Sequence, residues 1–131
     1  MKRILFLLLL ICFAGSKISA QERYADIKFE KTVHNFGTIA EGAKVSYSFV
    51  FKNVGTIPLI INQAMTSCGC TVTTYSKEPV LPDKEGKITV TYDGKGKFPG
   101  HFRKTITIRS NSKNPLVRIY VEGDMTSQNK K

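Results

Sequence analysis

Cys68 and Cys70, separated by Gly69, are the residues of this chain whose type and spacing best suit them to chemistry. Two thiols this close can bond to each other, exchange with a third thiol, or grip a soft metal. On a regular strand both side chains would face the same way, with Cα atoms about 6.6 Å apart. A disulfide spans roughly 4.4 to 6.8 Å and is commonest near 5.5 to 6 Å. Direct bonding therefore asks the backbone to tighten, and Gly69 permits this because glycine accepts dihedrals that other residues avoid. The ring so closed is tiny, so its entropic contribution to stability is small and the bond is easy to reduce. Three readings fit the motif: a local or interchain disulfide, a pair poised for exchange or metal binding, and two reduced, packed cysteines.

Each chemical reading needs further groups. An exchanging thiol needs a helix N-terminus or a nearby cation. No helix is visible around the pair, and Lys77 is the nearest downstream cation. Two thiolates favour Cu(I) or Zn(II), with more ligands to complete the set. His34, His101, Met65 and Met125 are available at no tight local spacing, and Cys68, Cys70 and His34 form the candidate metal set. No other cofactor is implied. The chain has no Gly-x-Ser-x-Gly, no phosphate loop and no His-Glu-x-x-His, so no catalytic residue is assigned and a non-enzyme is expected. Gly94, Gly96 and Gly100 do not precede a helix, which argues against a phosphate cradle. Asp93 to Gly100 reads instead as a binding loop, with Lys95, Lys97, Phe98 and His101 as its contact residues. Phe98 at its tip is either a core plug or an exposed contact.

The elements that must hold these groups are strands. Beyond residue 21 the apolar pattern has period 2 and is broken by Gly, Pro, Asn and Asp at short intervals. Ile27 and Phe29 open the series, and Val33 to Ile39 follows up to a turn at Glu41-Gly42. Val45, Tyr47, Phe49 and Phe51 alternate with polar residues as a half-buried strand ending at Asn53-Val54-Gly55. Pro58 to Asn62 is an unbroken apolar run, as expected of a strand covered on both sides. Cys70 to Tyr75 is dense in β-branched residues. After a turn over Leu81 to Gly86, the strands are marked by Ile88, Val90 and Tyr92, by Phe102, Ile106 and Ile108, and by Val117, Ile119 and Val121. The pattern predicts an all-β, immunoglobulin-like two-sheet antiparallel β-sandwich of seven to eight strands. Phe36, Phe49, Phe51, Ile61, Val90, Ile106 and Ile119 are its expected core. Residues 126 to 131 are expected to be a disordered polar tail.

Length and charge set the context. The 131 residues carry 20 Lys and Arg against 10 Asp and Glu, a formal charge of +10. Lys2 and Arg3 precede an 11-residue apolar run from Ile4 to Ala14, and Ser19-Ala20 supplies the small residues of a cleavage site. This is the build of a signal peptide over residues 1 to 20, too short in its apolar part to span a membrane. Leu10-Ile11 before Cys12 does not suit lipidation, so Cys12 leaves with the leader. Cleavage would leave 131 − 20 = 111 residues, a charge of +7 after loss of Lys2, Arg3 and Lys17, and one cysteine pair. The remaining cations are scattered singly, which reads as a solvated basic face rather than a nucleic-acid site. The expected setting is periplasmic or secreted, with no membrane span in the mature chain.

His34-Asn35-Phe36-Gly37-Thr38-Ile39, Phe51-Lys52-Asn53-Val54-Gly55 and Ser67-Cys68-Gly69-Cys70-Thr71-Val72 together resemble the bacterial DUF1573 family. Ile88 to Tyr92, Gly100 with Phe102, and Ile108-Arg109-Ser110-Asn111 fit it as well. The resemblance covers about Phe29 to Gly123, and Cys-Gly-Cys-Thr is its most specific part. Asn35 stands where the family most often has aspartate. The family is similar to the immunoglobulin-like domains of the ASPM, SPD-2 and hydin group, to major sperm protein and to pilus chaperones. The resemblance implies an exported sandwich domain, often from Bacteroidetes, without an established activity. The first expectation is therefore a non-enzymatic module over residues 21 to 125 that binds a protein or cell-envelope partner. The alternative is a redox or soft-metal protein built on Cys68 and Cys70.

Overall fold

A computed structural model describes residues 22 to 127, and all eight elements among them are strands: β1 (Ile27–Phe29), β2 (Val33–Ala40), β3 (Lys44–Asn53), β4 (Ile61–Thr66), β5 (Thr71–Tyr75), β6 (Glu85–Asp93), β7 (Gly100–Ser110) and β8 (Leu116–Thr126). The leader expected over residues 1 to 20 and tail residues 128 to 131 lie outside the described residues. Two four-stranded sheets form, in the orders β1-β3-β6-β5 and β2-β8-β7-β4. The fold is the expected immunoglobulin-like sandwich.

Alternation drives the sheets together. Phe49 and Phe51 of β3, and Ile88 and Val90 of β6, point inward from the first sheet and are almost fully buried. Ile106 and Ile108 of β7 meet them from the second sheet, with Ile119 and Val121 of β8. Burial of each such side chain is worth roughly 1.5 to 3 kcal/mol. The outward residues of β3 and β6 pair across the ladder, with Ser46 and Thr91 hydroxyls 2.7 Å apart and Ser48 and Thr89 2.8 Å apart. Of the expected core, Phe36 alone is half-buried.

Three expectations are corrected. β2 runs parallel to β8, while every other strand pair is antiparallel. The β2 register shifts between Asn35 and Thr38, where Gly37 takes φ 71° and donates its N–H to Asn35 Oδ1 at 2.7 Å. This left-handed bulge needs glycine. Second, the strand read at Pro58 to Asn62 begins later, at Ile61. Leu59 is buried in an isolated bridge to Val80, whereas Ile60 is 40 % exposed. The segment enters the edge of its sheet, so its apolar run is not covered on both sides. Third, β8 runs one residue past the boundary expected at 125. Thr126 ends β8 and donates its hydroxyl to Ile39 O at 3.2 Å, while Met125 is buried.

β4 and β5 are edge strands of opposite sheets on the same side of the sandwich, and the turn between them carries the chain from one sheet to the other. Cys68, Gly69 and Cys70 make up that corner.

Candidate functional site

The corner is tied down by short-range hydrogen bonds. Thr71 N–H donates to Cys68 O at 3.1 Å, and Cys70 N–H points to Cys68 Sγ at 3.3 Å. The Thr66 hydroxyl lies within reach of both Cys68 O and Thr71 O. Below it, Thr73 and Tyr75 donate their hydroxyls to Ala64 O and Asn62 O, stitching β5 to β4 through side chains. The two cysteines are bonded, with Cα atoms 5.2 Å apart. That is shorter than the spacing of a regular strand because the pair sits in a turn. Gly69 is not among the residues at positive φ, and an added Cβ would meet nothing within 4 Å. The hinge expected of this glycine is therefore not what closes the pair; its effect is to leave the disulfide unscreened on that side.

Cys70 is buried in a small apolar cluster with Ile39, Tyr92, Phe102 and Met125, and the half-buried Cys68 packs against it. Tyr92 and Phe102 stack with centroids 4.1 Å apart. Burial, with the Asp93 carboxylate next to it, pushes the Tyr92 hydroxyl pKa up from its ordinary 10.0. The same cluster supports the loop of residues 94–99. Asp93 N–H donates to Cys70 O at 2.8 Å, and Gly94 N–H to Ala43 O at 2.9 Å. A Cβ at Gly94 would collide with Met125 and with Ala43 O, so this close approach requires glycine. Beyond it the loop turns through Lys97 N–H to Gly94 O, and Lys95 N–H caps Asp93 Oδ1 at 3.0 Å.

Between corner and loop lies a shallow depression of about 350 Å3, lined by Gly69, Cys70, Asp93, Lys95 and Lys97. The fold thus brings together two features the sequence separates by more than twenty residues. Lys77, the nearest cation in sequence, is not part of this lining. The signal that could have placed Lys95 and Lys97 beside the cysteine corner is strand pairing. Strands adjacent in sequence commonly pair, and setting Thr71 to Tyr75 antiparallel to Ile88 to Tyr92 puts Thr71 opposite Tyr92 and Cys70 beside Asp93.

The other sequence-designated residues fall as follows. Phe98 is 93 % exposed and so is not a core plug. His101 pairs across the ladder with Asp124, Nδ1 to Oδ1 3.1 Å, with both side chains mostly exposed. His34 stacks on Tyr47 with centroids 3.7 Å apart and meets Phe36 edge-on. Its pKa is lowered from 6.5, first by burial and then by the Lys31 charge, whose Nζ is 3.4 Å from Nδ1. The set Cys68, Cys70 and His34 is not assembled, because the imidazole is taken up by the aromatic stack and the sulfurs by each other. Among the described residues, no group of three or more His, Cys, Asp or Glu is gathered as a metal site. No helix among them is long and apolar enough to cross a membrane.

A family model for a protein of unknown function, DUF1573, matches residues 27–125. The chain belongs to this family. A search of curated proteins found no match. Among solved structures, the fold is similar to a Porphyromonas gingivalis protein of unknown function, with TM-score 0.67 and 18 % identity. That match covers 82 % of this chain and 51 % of the other, so the chain spans about half the length of that relative. It is also similar to the ASH/PapD-like domain 7 of human CEP192, with TM-score 0.66, 9 % identity, and 88 % and 95 % of the two chains covered. The periplasmic chaperone SfaE follows at TM-score 0.53 and 12 % identity, over 79 % of this chain and 58 % of that one. At these identities the likeness establishes the fold alone.

Proposed function

We propose that this DUF1573 protein is an exported, non-enzymatic binding module of the bacterial cell envelope. Its contact surface is the end of the sandwich formed by the loop of residues 94–99. The observation that carries this reading is Phe98, an aromatic ring 93 % exposed just after Lys95 and Lys97 on a loop whose base is hydrogen-bonded to the corner and to Ala43. Aromatic residues are the usual anchors of protein interfaces, and one standing clear at a loop end is placed to serve as such an anchor. Lys95 and Lys97 favour a partner with an acidic rim. Export is supported by the leader pattern of residues 1 to 20, and the sandwich is an architecture shared with a periplasmic chaperone.

The test is site-specific photo-crosslinking in cells. A photoreactive residue in place of Phe98 should capture a discrete envelope protein. The same residue in place of Leu116, which is exposed at the opposite end of β8, should not. Equal capture from both positions, or none from Phe98, would defeat the reading.

A further inference from the structure

We propose that the Cys68–Cys70 pair is a thiol–disulfide exchange site for an exogenous dithiol whose flanks carry negative charge. The inference does not rest on the binding reading above. It starts from an asymmetry between the sulfurs. Cys70 is 8 % exposed and packed under Tyr92 and Phe102, whereas Cys68 is half-buried at the surface of the corner. Gly69 places no side chain over the bond and has open space where a Cβ would be. Of the two cysteines, Cys68 is therefore the more accessible to an incoming thiolate.

The arrangement around Cys70 suits a leaving thiolate. Its sulfur lies 3.7 Å from Thr71 Oγ1, so that hydroxyl can donate to it. Cys70 also shares its depression with Lys95 and Lys97. The two lysines outnumber the one carboxylate in the lining, Asp93, which leaves the depression net cationic. Cations beside a sulfur favour its thiolate form, and a stabilised leaving thiolate speeds exchange. The same lysines would draw in a thiol with anionic flanks and repel a cationic one.

The chemistry balances as follows. A partner thiolate attacks Cys68 Sγ, forming a partner–Cys68 disulfide. The Cys68–Cys70 bond breaks, and its electron pair goes to Cys70 Sγ, which takes a proton from solvent. The partner's second thiolate then attacks the partner's own sulfur in the mixed disulfide and expels Cys68 as a thiolate, which is protonated in turn. Two electrons and two protons have passed from the partner dithiol to Cys68 and Cys70. In reverse, Cys68 is the exposed nucleophile, with Cys70 N–H 3.3 Å from its sulfur.

The test treats the purified protein with an anionic monothiol, 2-mercaptoethanesulfonate, or a cationic one, cysteamine, at matched thiolate concentration. Iodoacetamide traps the products, and intact mass with fragment sequencing locates them. The expected product carries the monothiol on Cys68 and the alkyl group on Cys70. It should form about fivefold faster with the anionic thiol, and more slowly at high salt. Lys95→Glu with Lys97→Glu, both on the exposed loop, should reverse the preference. The proposal is overturned by a monothiol on Cys70, by equal rates for the two thiols, or by failure of either to open the bond in the folded protein.

Discussion

The two ends of the sandwich are closed by different means. At one end Asn53, with no exposed surface, closes β3 with a buried amide. Its Oδ1 accepts from Gly55 N–H at 2.9 Å and Asp26 N–H at 3.3 Å, and its Nδ2 donates to Ile57 O at 2.8 Å and Val80 O at 2.9 Å. Ser112, in the connection between β7 and β8, assists by accepting the Ile27 N–H. At the opposite end, among the described residues, no buried amide plays this part. The closure there is the cysteine corner, the stacked Tyr92 and Phe102, and a basic loop. The first end fixes four backbone groups from three segments at once, and losing the amide would strip three of them of their partner, Val80 O alone keeping the Leu59 N–H. The second end crosslinks residues already two apart in sequence, which constrains the unfolded chain little. Stability is therefore concentrated at the Asn53 end and reactive, exposed groups at the cysteine end.

The largest effect should come from Asn53→Ala, about 4 kcal/mol of lost stability in urea unfolding, because a fully buried side chain is removed and three half-buried backbone groups lose their partner together. A loss below about 1 kcal/mol would break the comparison. Ile119→Ala, in the main core between the sheets, should cost about 3 kcal/mol by the same measurement. Replacing both cysteines, Cys68→Ser with Cys70→Ser, should cost only about 1.5 kcal/mol on the chain-entropy account. A cost equal to that of Asn53→Ala would make the corner a structural brace after all. Gly69→Ala should be the mildest, within about 0.5 kcal/mol, and should leave the disulfide intact by mass, since the site has room and no positive φ.

Protonation adds a directional prediction of small size. His34 has a folded-state pKa below its ordinary 6.5, so the unfolded chain binds the extra proton more readily. Stability should be full above pH 6.5 and should decline as pH falls through 6.5 toward the folded value. His34→Phe, which keeps an aromatic ring on Tyr47, should flatten that part of the pH profile.

Much of this was legible in the chain. Alternation in Val45 to Phe51 and in Ile88 to Tyr92 states which face of each strand is buried, because successive side chains on a strand point opposite ways. The pairing of Cys68 with Cys70 was legible as one of three alternatives. Asn53 was not: read in order, Asn-Val-Gly is a strand terminator, and nothing local reveals that its amide meets Ile57, Val80 and Asp26. Phe98 was ambiguous for the same reason, since an aromatic in a glycine-rich loop is buried or exposed according to what the rest of the chain leaves uncovered. The parallel course of β2 was also hidden, because period 2 is indifferent to the direction of a neighbour.

The sequence by itself determined the strands, their buried faces and the closeness of two thiols, all of which follow from backbone geometry over a few residues. Only the tertiary structure decided which cysteine is the more exposed, which cations share a depression with the other, and which polar side chain is sealed inside. Those outcomes depend on strand order in two sheets, and strand order arises from contacts between residues far apart along the chain.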